Sequence, residues 1–245
     1  MICLKASDNL DTIDVFLSYN SKDRVLAGRI KENLEQFGIS VFLAHSDMEG
    51  GERWEREIIH RIRICDVVLV LLTPRFRRSK WTDHEVGMGI GGSKEIIPLR
   101  VTGVKLYGFL SRYHALKLEP SALSQACNGI ILAMRSKTKL RQRLQNSFIQ
   151  SFATTRSFIE ANRKSELLDE FGPYSSKQVS SILQAYMQNV QIHRPTTAGS
   201  RFRDFLRKNR KLIRATEGIP ESAKTRTTRL APSELEQLLS KVGKP

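Results

Sequence analysis

Cysteine is scarce in this chain: three in 245 residues, at positions 3, 65 and 127. Their odd number and wide separation argue against a disulfide framework, and no Cys-x-x-Cys pair suggests a zinc site. Cys65, just before an apolar run, reads as a small core residue, and reduced cysteines fit a cytosolic setting. Long hydrophobic stretches are also missing. The longest strongly apolar run, Val67–Leu72, is far shorter than the roughly 18 residues a membrane helix requires. Near the start, Asp8, Asp11 and Asp14 stand where a secretion signal would place basic and then apolar residues. No membrane partner and a cytoplasmic location are therefore expected. Hydrophobic residues make up 40% of the chain, a little low for a fully globular protein, so some of it is expected to pack loosely.

Acidic residues are depleted in the second half. Residues 1–135 carry 19 Lys and Arg against 16 Asp and Glu, whereas residues 136–245 carry 21 against 9. The basic character therefore belongs to the C-terminal part, and the asymmetry predicts two regions with different roles.

The first region alternates strand and helix patterns. Residues 14–18 read as a strand. Leu26, Ile30, Leu34 and Phe37 follow at helical spacing, with Gly38 as the helix C-cap. Ile39 to Leu43 is a second strand, and a polar, glycine-bearing loop runs from Ala44 to Arg53. Trp54, Ile58, Ile59 and Ile62 mark one face of a second helix. Residues 66–72 lack polar alternation, as expected of a central strand covered on both faces. A third helix begins near Trp81, a fourth strand spans Ile96 to Val101, a short fifth lies near Ala115 to Leu118, and a helix runs from Ser121 to Met134. This order predicts a flavodoxin-like, doubly wound, five-stranded parallel sheet over residues 12–136.

Beyond Ser136 only helical patterns remain. Leu140 to Leu168, Ser175 to Val190 and Phe202 to Ile213 are amphipathic, with Pro173 and Pro195 as punctuation. Residues 137–214 are read as a small all-α accessory domain. Residues 215–245 are read as a polar, proline-bearing linker or tail, with a short helix over Leu235 to Val242.

In an open α/β sheet, ligands bind outside the carboxyl ends of the strands where strand order reverses, here between strands one and three. The loops meeting there are 18–23, 44–53 and 73–80. Ser18, Tyr19, Asn20 and Ser21 lead into a helix whose amides suit a phosphate, although Ser21 also reads as a plain N-cap with Asp23 in the first turn. In Trp81-Thr82-Asp83-His84-Glu85, Trp81 and Glu85 share a helix face. A ring beside a carboxylate suits a planar, cationic substrate. Thr82-x-x-Glu85 is equally a capping box, and spacing alone favours the cap. His84 is expected to face solvent.

These segments resemble the TIR family over about residues 12–135. Residues 14–23 look like its first signature box. Gly38 to Phe42, followed by Asp47 to Trp54, looks like its second strand and BB loop. Residues 65–74, followed by Ser79 to Glu85, look like its third strand and W-x-x-x-E segment. The pattern is most similar to prokaryotic members, many of which serve in antiphage defence. The resemblance implies that Glu85 is the catalytic residue of an NAD-cleaving enzyme. It places Trp81, Tyr19, Asn20, Phe42, Ser18, Thr73 and Ser79 at the substrate, and Asp47, Glu49, Gly50, Gly51 and Trp54 in a loop that mediates self-association. Position 20 is Asn where several NAD-cleaving members have Arg, and the BB loop lacks the proline of many receptor adaptors. NAD is then substrate, with no separate cofactor and no metal. Its products would be nicotinamide with ADP-ribose or a cyclic isomer, which a downstream effector would sense.

Two other function classes remain open: a non-catalytic scaffold that signals by self-association, with Glu85 capping its helix, and an effector triggered by nucleic acid. For the latter, Phe202 to Arg214 forms a basic amphipathic helix. Its charge suits phosphates, but no aromatic platform accompanies it, so nucleic acid is not the favoured partner. Its apolar residues Phe202, Phe205 and Leu206, with Leu212 and Ile213, are expected to pack inward.

Overall fold

The computed structural model describes residues 12–44, 52–194 and 196–214. Five parallel strands, β1 (Ile13–Ser18), β2 (Ile39–Leu43), β3 (Val67–Leu72), β4 (Glu95–Val101) and β5 (Leu116–Leu118), form one sheet in the order β2-β1-β3-β4-β5. This is the expected flavodoxin-like arrangement, with strand order reversing between β1 and β3. In register, Val15 pairs with Val41 on one side and Val67 on the other. All six residues of β3 are buried, which explains why its sequence shows no alternation.

Helices α1 (Arg24–Glu35), α2 (Glu52–Ile64), α3 (Lys80–Gly91) and α4 (Leu123–Ser136) connect and flank the strands. Ile58 and Ile62 of α2 and Val86 of α3 cover the sheet face formed by Phe16, Val68, Val70 and Ile96. Val15, Leu17, Val67, Leu69 and Leu71, which point the other way, are equally buried. Gly89 permits the tight seat of α3, since a Cβ there would stand 2.8 Å from Val68 Cγ2. That close approach fixes the depth at which Glu85, one turn earlier, meets the end of β1. Gly38, expected as the C-cap of α1, lies two residues after the actual cap, Gln36. Its φ of +77° turns the chain into β2, a conformation that glycine adopts without a Cβ penalty.

Helix α5 (Thr138–Ala153) carries the division between two compact units, which falls after Ser147 rather than after residue 136. The reason is local. Arg143 grips Asp66 with two bonds, of 2.6 and 3.0 Å, and also donates to the Thr12 carbonyl. Ser147 Oγ donates to the Gly38 carbonyl. The same Asp66 carboxylate accepts the backbone N–H of Asp14 at 3.0 Å. Asp66→Ala is therefore expected to lower unfolding free energy by about 2 kcal/mol, because it strands a half-buried guanidinium and a backbone donor. Chemical denaturation measures this, and a loss below about 0.5 kcal/mol would show the fork to be a surface ornament.

The described elements of the second unit are all helices. It comprises the end of α5, α6 (Phe158–Glu166), α7 (Ser176–Gln188), α8 (Val190–His193), α9 (Thr197–Lys208) and α10 (Arg210–Arg214). The stretch read as one amphipathic helix from Leu140 to Leu168 breaks after Ala153, where the Ser157 hydroxyl caps α6. Similarly, Asn189 caps α8, so Val190 opens a new helix instead of ending the one that starts after Ser175. The helix read from Phe202 starts earlier, capped by Thr196, and α10 begins after a turn at Asn209. Its core is aromatic: Phe148 stacks on Phe171 at 4.1 Å, and Phe152 meets Phe202 edge-on at 5.0 Å. Phe202, Phe205 and Leu206 are buried as expected, and Leu212 is half-buried. Lys164 is also buried. Its ammonium is held by Glu160 Oε1 at 2.6 Å, the Ser151 carbonyl at 2.6 Å and Thr155 Oγ1 at 3.0 Å. Burial nevertheless pushes its pKa below the usual lysine value. No described helix is long and apolar enough to cross a membrane.

Candidate active site

Strand β1 ends with Ser18 on the face that α3 covers, and there its hydroxyl meets the carboxyl of Glu85. Ser18 Oγ donates to Glu85 Oε2 at 2.5 Å, and both residues are fully buried. Removal from water makes the ionised form costly, so Glu85 is pushed up to about 8, only partly offset by the hydrogen bond from Ser18. A buried carboxyl with a raised pKa at the topological switch point is unusual for a purely structural residue.

The start of α3 decides the capping question. Its first residue is Lys80 and its N-cap is Ser79, so Thr82 already lies inside the first turn. The Thr82 hydroxyl donates to the carbonyls of Phe76 and Ser79, each at 3.0 Å. A capping box closed by Thr82 and Glu85 needs Thr82 outside the helix, which this geometry rules out. Glu85 instead reaches across 67 positions of sequence to Ser18.

A second constellation fixes the loops on either side of the reversal. Asp23 accepts from Thr73 Oγ1 at 2.6 Å with one carboxylate oxygen and from Arg75 Nη1 at 2.8 Å with the other. The Arg75 N–H returns to Thr73 Oγ1 at 3.2 Å. Asn20 Nδ2 donates to the Arg75 carbonyl at 3.0 Å, while its Oδ1 accepts from the Lys22 N–H at 3.1 Å. The cap of the short 3-10 turn Ser21–Asp23 is thus Asn20, not Ser21. Asn20 sits one residue earlier, where its longer amide bonds its own loop and the neighbouring one together.

The remaining expected residues are spread around this centre. Tyr19 is fully buried. Phe42 is half-buried, stacked on Phe16 with ring centroids 5.7 Å apart, and the Arg61 guanidinium lies 5.0 Å above its ring. Trp81, 39% exposed, meets His84 edge-on at 6.0 Å, and His84 is exposed as expected. Ser79 is half-buried at the mouth of α3. Asp47, Glu49, Gly50 and Gly51 lie outside the described residues, and of Trp54 only the helical backbone is described. Among the described residues, no three His, Cys, Asp or Glu side chains converge as metal ligands would. Sequence reasoning missed Asp23 and Arg75 as partners. The only signal was an acid ending one loop and a base opening another, 52 positions apart.

The match to a family model fits this architecture. Residues 15–127 match the family model described as a TIR domain. The chain is 31% identical over 88 residues to a protein of Brachypodium distachyon named "Probable 2' cyclic ADP-D-ribose synthase BdTIR". The match covers 35% of this chain and 39% of the relative, so the chain spans about two-fifths of that protein's length. Among solved structures, the CMP N-glycosidase BcmB of Clostridium botulinum is similar at 17% identity and a TM-score of 0.39, covering 49% of this chain and 98% of that one. The TIR domains of the activated Roq1 resistosome are similar at 14% identity and a TM-score of 0.34, covering 65% and 99%. The sequence match and the strand order agree: over residues 15–127 this chain carries a TIR domain.

Proposed function

We propose that the TIR domain cleaves NAD at the bond between nicotinamide and ribose, with Glu85 as the catalytic carboxylate. The observation carrying this reading is the placement of Glu85: buried, raised in pKa, and bonded to Ser18 at the switch point instead of capping its own helix. The name of the Brachypodium distachyon relative supports the same chemistry.

The reaction needs little from the protein. The nicotinamide nitrogen is quaternary in NAD, so when the C1′–N bond breaks its electron pair leaves with nicotinamide, and no general acid is required. The ribose becomes oxocarbenium-like, as in glycoside cleavage, and an ionised Glu85 stabilises that charge where little water competes. Water attacking C1′ gives ADP-ribose and releases one proton. A nucleophilic atom of the same molecule attacking instead gives a cyclic isomer, the class of product for which the relative is named. In this reading Ser18 holds the carboxylate, while Trp81, Tyr19, Asn20, Phe42, Thr73 and Ser79 shape the surrounding cleft. Residues 47–54 mediate association with a second TIR domain, and the nucleotide product is sensed by an effector in an immune pathway.

The test is nicotinamide release from NAD by the purified full chain, with nucleotide products separated by chromatography. Nicotinamide should appear in step with ADP-ribose or a cyclic isomer. Folded, self-associated protein that releases none would replace this reading with that of a scaffold.

A further inference from the structure

The substrate poses a charge problem for this site. NAD carries a dianionic diphosphate attached to the ribose whose C1′ must sit at Glu85. Ser18, the partner of Glu85, is two residues from Asn20, at most about 7 Å along an extended chain. The diphosphate is joined to that same ribose at C5′, a few bonds from the carbon that faces the carboxylate, so a fixed cation on the neighbouring loops offsets the repulsion.

Among the described residues, the segments that follow β1 and β3 carry Lys22, Arg75, Arg77 and Arg78. Lys22 and Arg78 are exposed. Arg77 lies on the Tyr107 ring, 4.4 Å from its centroid. Arg75 differs from all three in being fixed at both backbone and side chain. Its N–H is held by Thr73, its carbonyl by Asn20 and its guanidinium by Asp23. Asp23 is itself anchored by Thr73 and is only 7% exposed, whereas the Arg75 side chain is 54% exposed. Among the described residues, Asp23 engages one of the five guanidinium N–H donors.

We propose that Arg75 is the residue that binds the substrate's diphosphate, with Asp23 and Asn20 as the residues that position it. The inference rests on the reading of the site as NAD-cleaving. Asp23 orients the guanidinium as an outer carboxylate orients a ligand, and the rest of the fork is left for bidentate contact with phosphate oxygens. Asn20, expected to touch substrate itself, acts through the Arg75 carbonyl. Lysine at this position keeps a charge but lacks the planar fork.

The experiment compares the wild-type chain with Arg75→Gln and Arg75→Lys on NAD and on nicotinamide riboside, which has the same scissile bond and no phosphate. ADP-ribose binding is measured in parallel by calorimetry. Arg75→Gln should raise KM for NAD about tenfold or more with kcat little affected, and lower the preference for NAD over the riboside by a similar factor. Arg75→Lys, which keeps a partner for Asp23, should recover only part of that preference and serves as the comparison if the glutamine variant melts early. An unmoved preference in folded variants overturns the proposal and leaves Arg75 as scaffolding for Asp23. If wild-type chain releases no nicotinamide, ADP-ribose affinity still decides. An approximately tenfold loss in Arg75→Gln upholds diphosphate binding while the cleavage reading fails. Equal affinity, or no binding to wild type, overturns it.

Discussion

Glu85→Gln is expected to cut nicotinamide release by about a thousandfold or more while making the domain more stable at pH 8. The first effect follows from the proposed chemistry. The amide keeps the shape of the side chain and an acceptor for Ser18 Oγ, but it removes the negative charge facing the developing ribose cation. Removing one preorganised electrostatic group from a dry site typically costs about a hundredfold to a thousandfold, and here that group is the only one proposed to oppose the cation. The second effect follows from burial. The Glu85 carboxyl is pushed from 4.5 to about 8, so between those pH values the folded chain retains a proton that the unfolded chain has lost. Stability from this group is fully present below the unfolded value and declines by roughly 1.4 kcal/mol per pH unit as pH rises towards the folded one. Glutamine carries no such linkage. Melting temperatures of the two proteins should therefore diverge as pH rises from 5 to 8, in the direction opposite to activity. If the variant melts well below wild type at pH 8, the Ser18–Glu85 contact is structural and the electrostatic argument fails.

The fold was legible because its signals are local. The unbroken apolar run of β3 and the short connections between strand and helix patterns lead to a parallel, doubly wound sheet, and Ile39–Leu43 appears at the expected bounds. The C-terminal helices were legible as helices but not in their breaks, since amphipathic spacing carries through Ala153 to Ser157 and a single hydroxyl marks the new start. The unit boundary was hidden for a related reason. Helix α5 is continuous in sequence, and Arg143 and Ser147 tie its first half to the sheet through partners more than 70 positions away.

At the site, spacing puts Trp81 and Glu85 on one helix face, but it allows a Thr82–Glu85 capping box as readily as a Glu85 turned towards β1. What separates them is whether the helix begins at Lys80 or three residues later, and propensity over Ser79 to Asp83 does not fix that. The Asp23–Arg75 pair was illegible in another way. Neither residue belongs to a motif whose mechanism requires the other, and their meeting depends on β1 and β3 lying side by side, which the alternating pattern implies only at the level of strand order. Asn20 drew notice as a point of difference from NAD-cleaving relatives, yet its use here, tying two loops together, involves a backbone carbonyl that sequence does not single out.

The pH profile of the wild-type enzyme is expected to show the burial of Glu85 directly. In the proposed chemistry the working form is the carboxylate, and in the free protein that form becomes a minority below about pH 8. The value of kcat/KM should therefore fall about tenfold for each pH unit below that point and level off above it. Once NAD is bound, its cationic nicotinamide ring favours the ionised carboxylate, so the profile of kcat should have its midpoint lower than that of kcat/KM. Ser18→Ala supplies the internal control. Its hydroxyl donates to Glu85 and holds the pKa down, so its loss should move the kcat/KM midpoint to higher pH and leave the high-pH plateau closer to wild type than the neutral-pH rate. Steady-state rates from pH 6 to 9.5 on both proteins measure all three features. A flat profile across that range would mean that Glu85 is already ionised in the resting enzyme, and a Ser18→Ala midpoint that does not move would mean that the hydroxyl does not act through the carboxylate it touches.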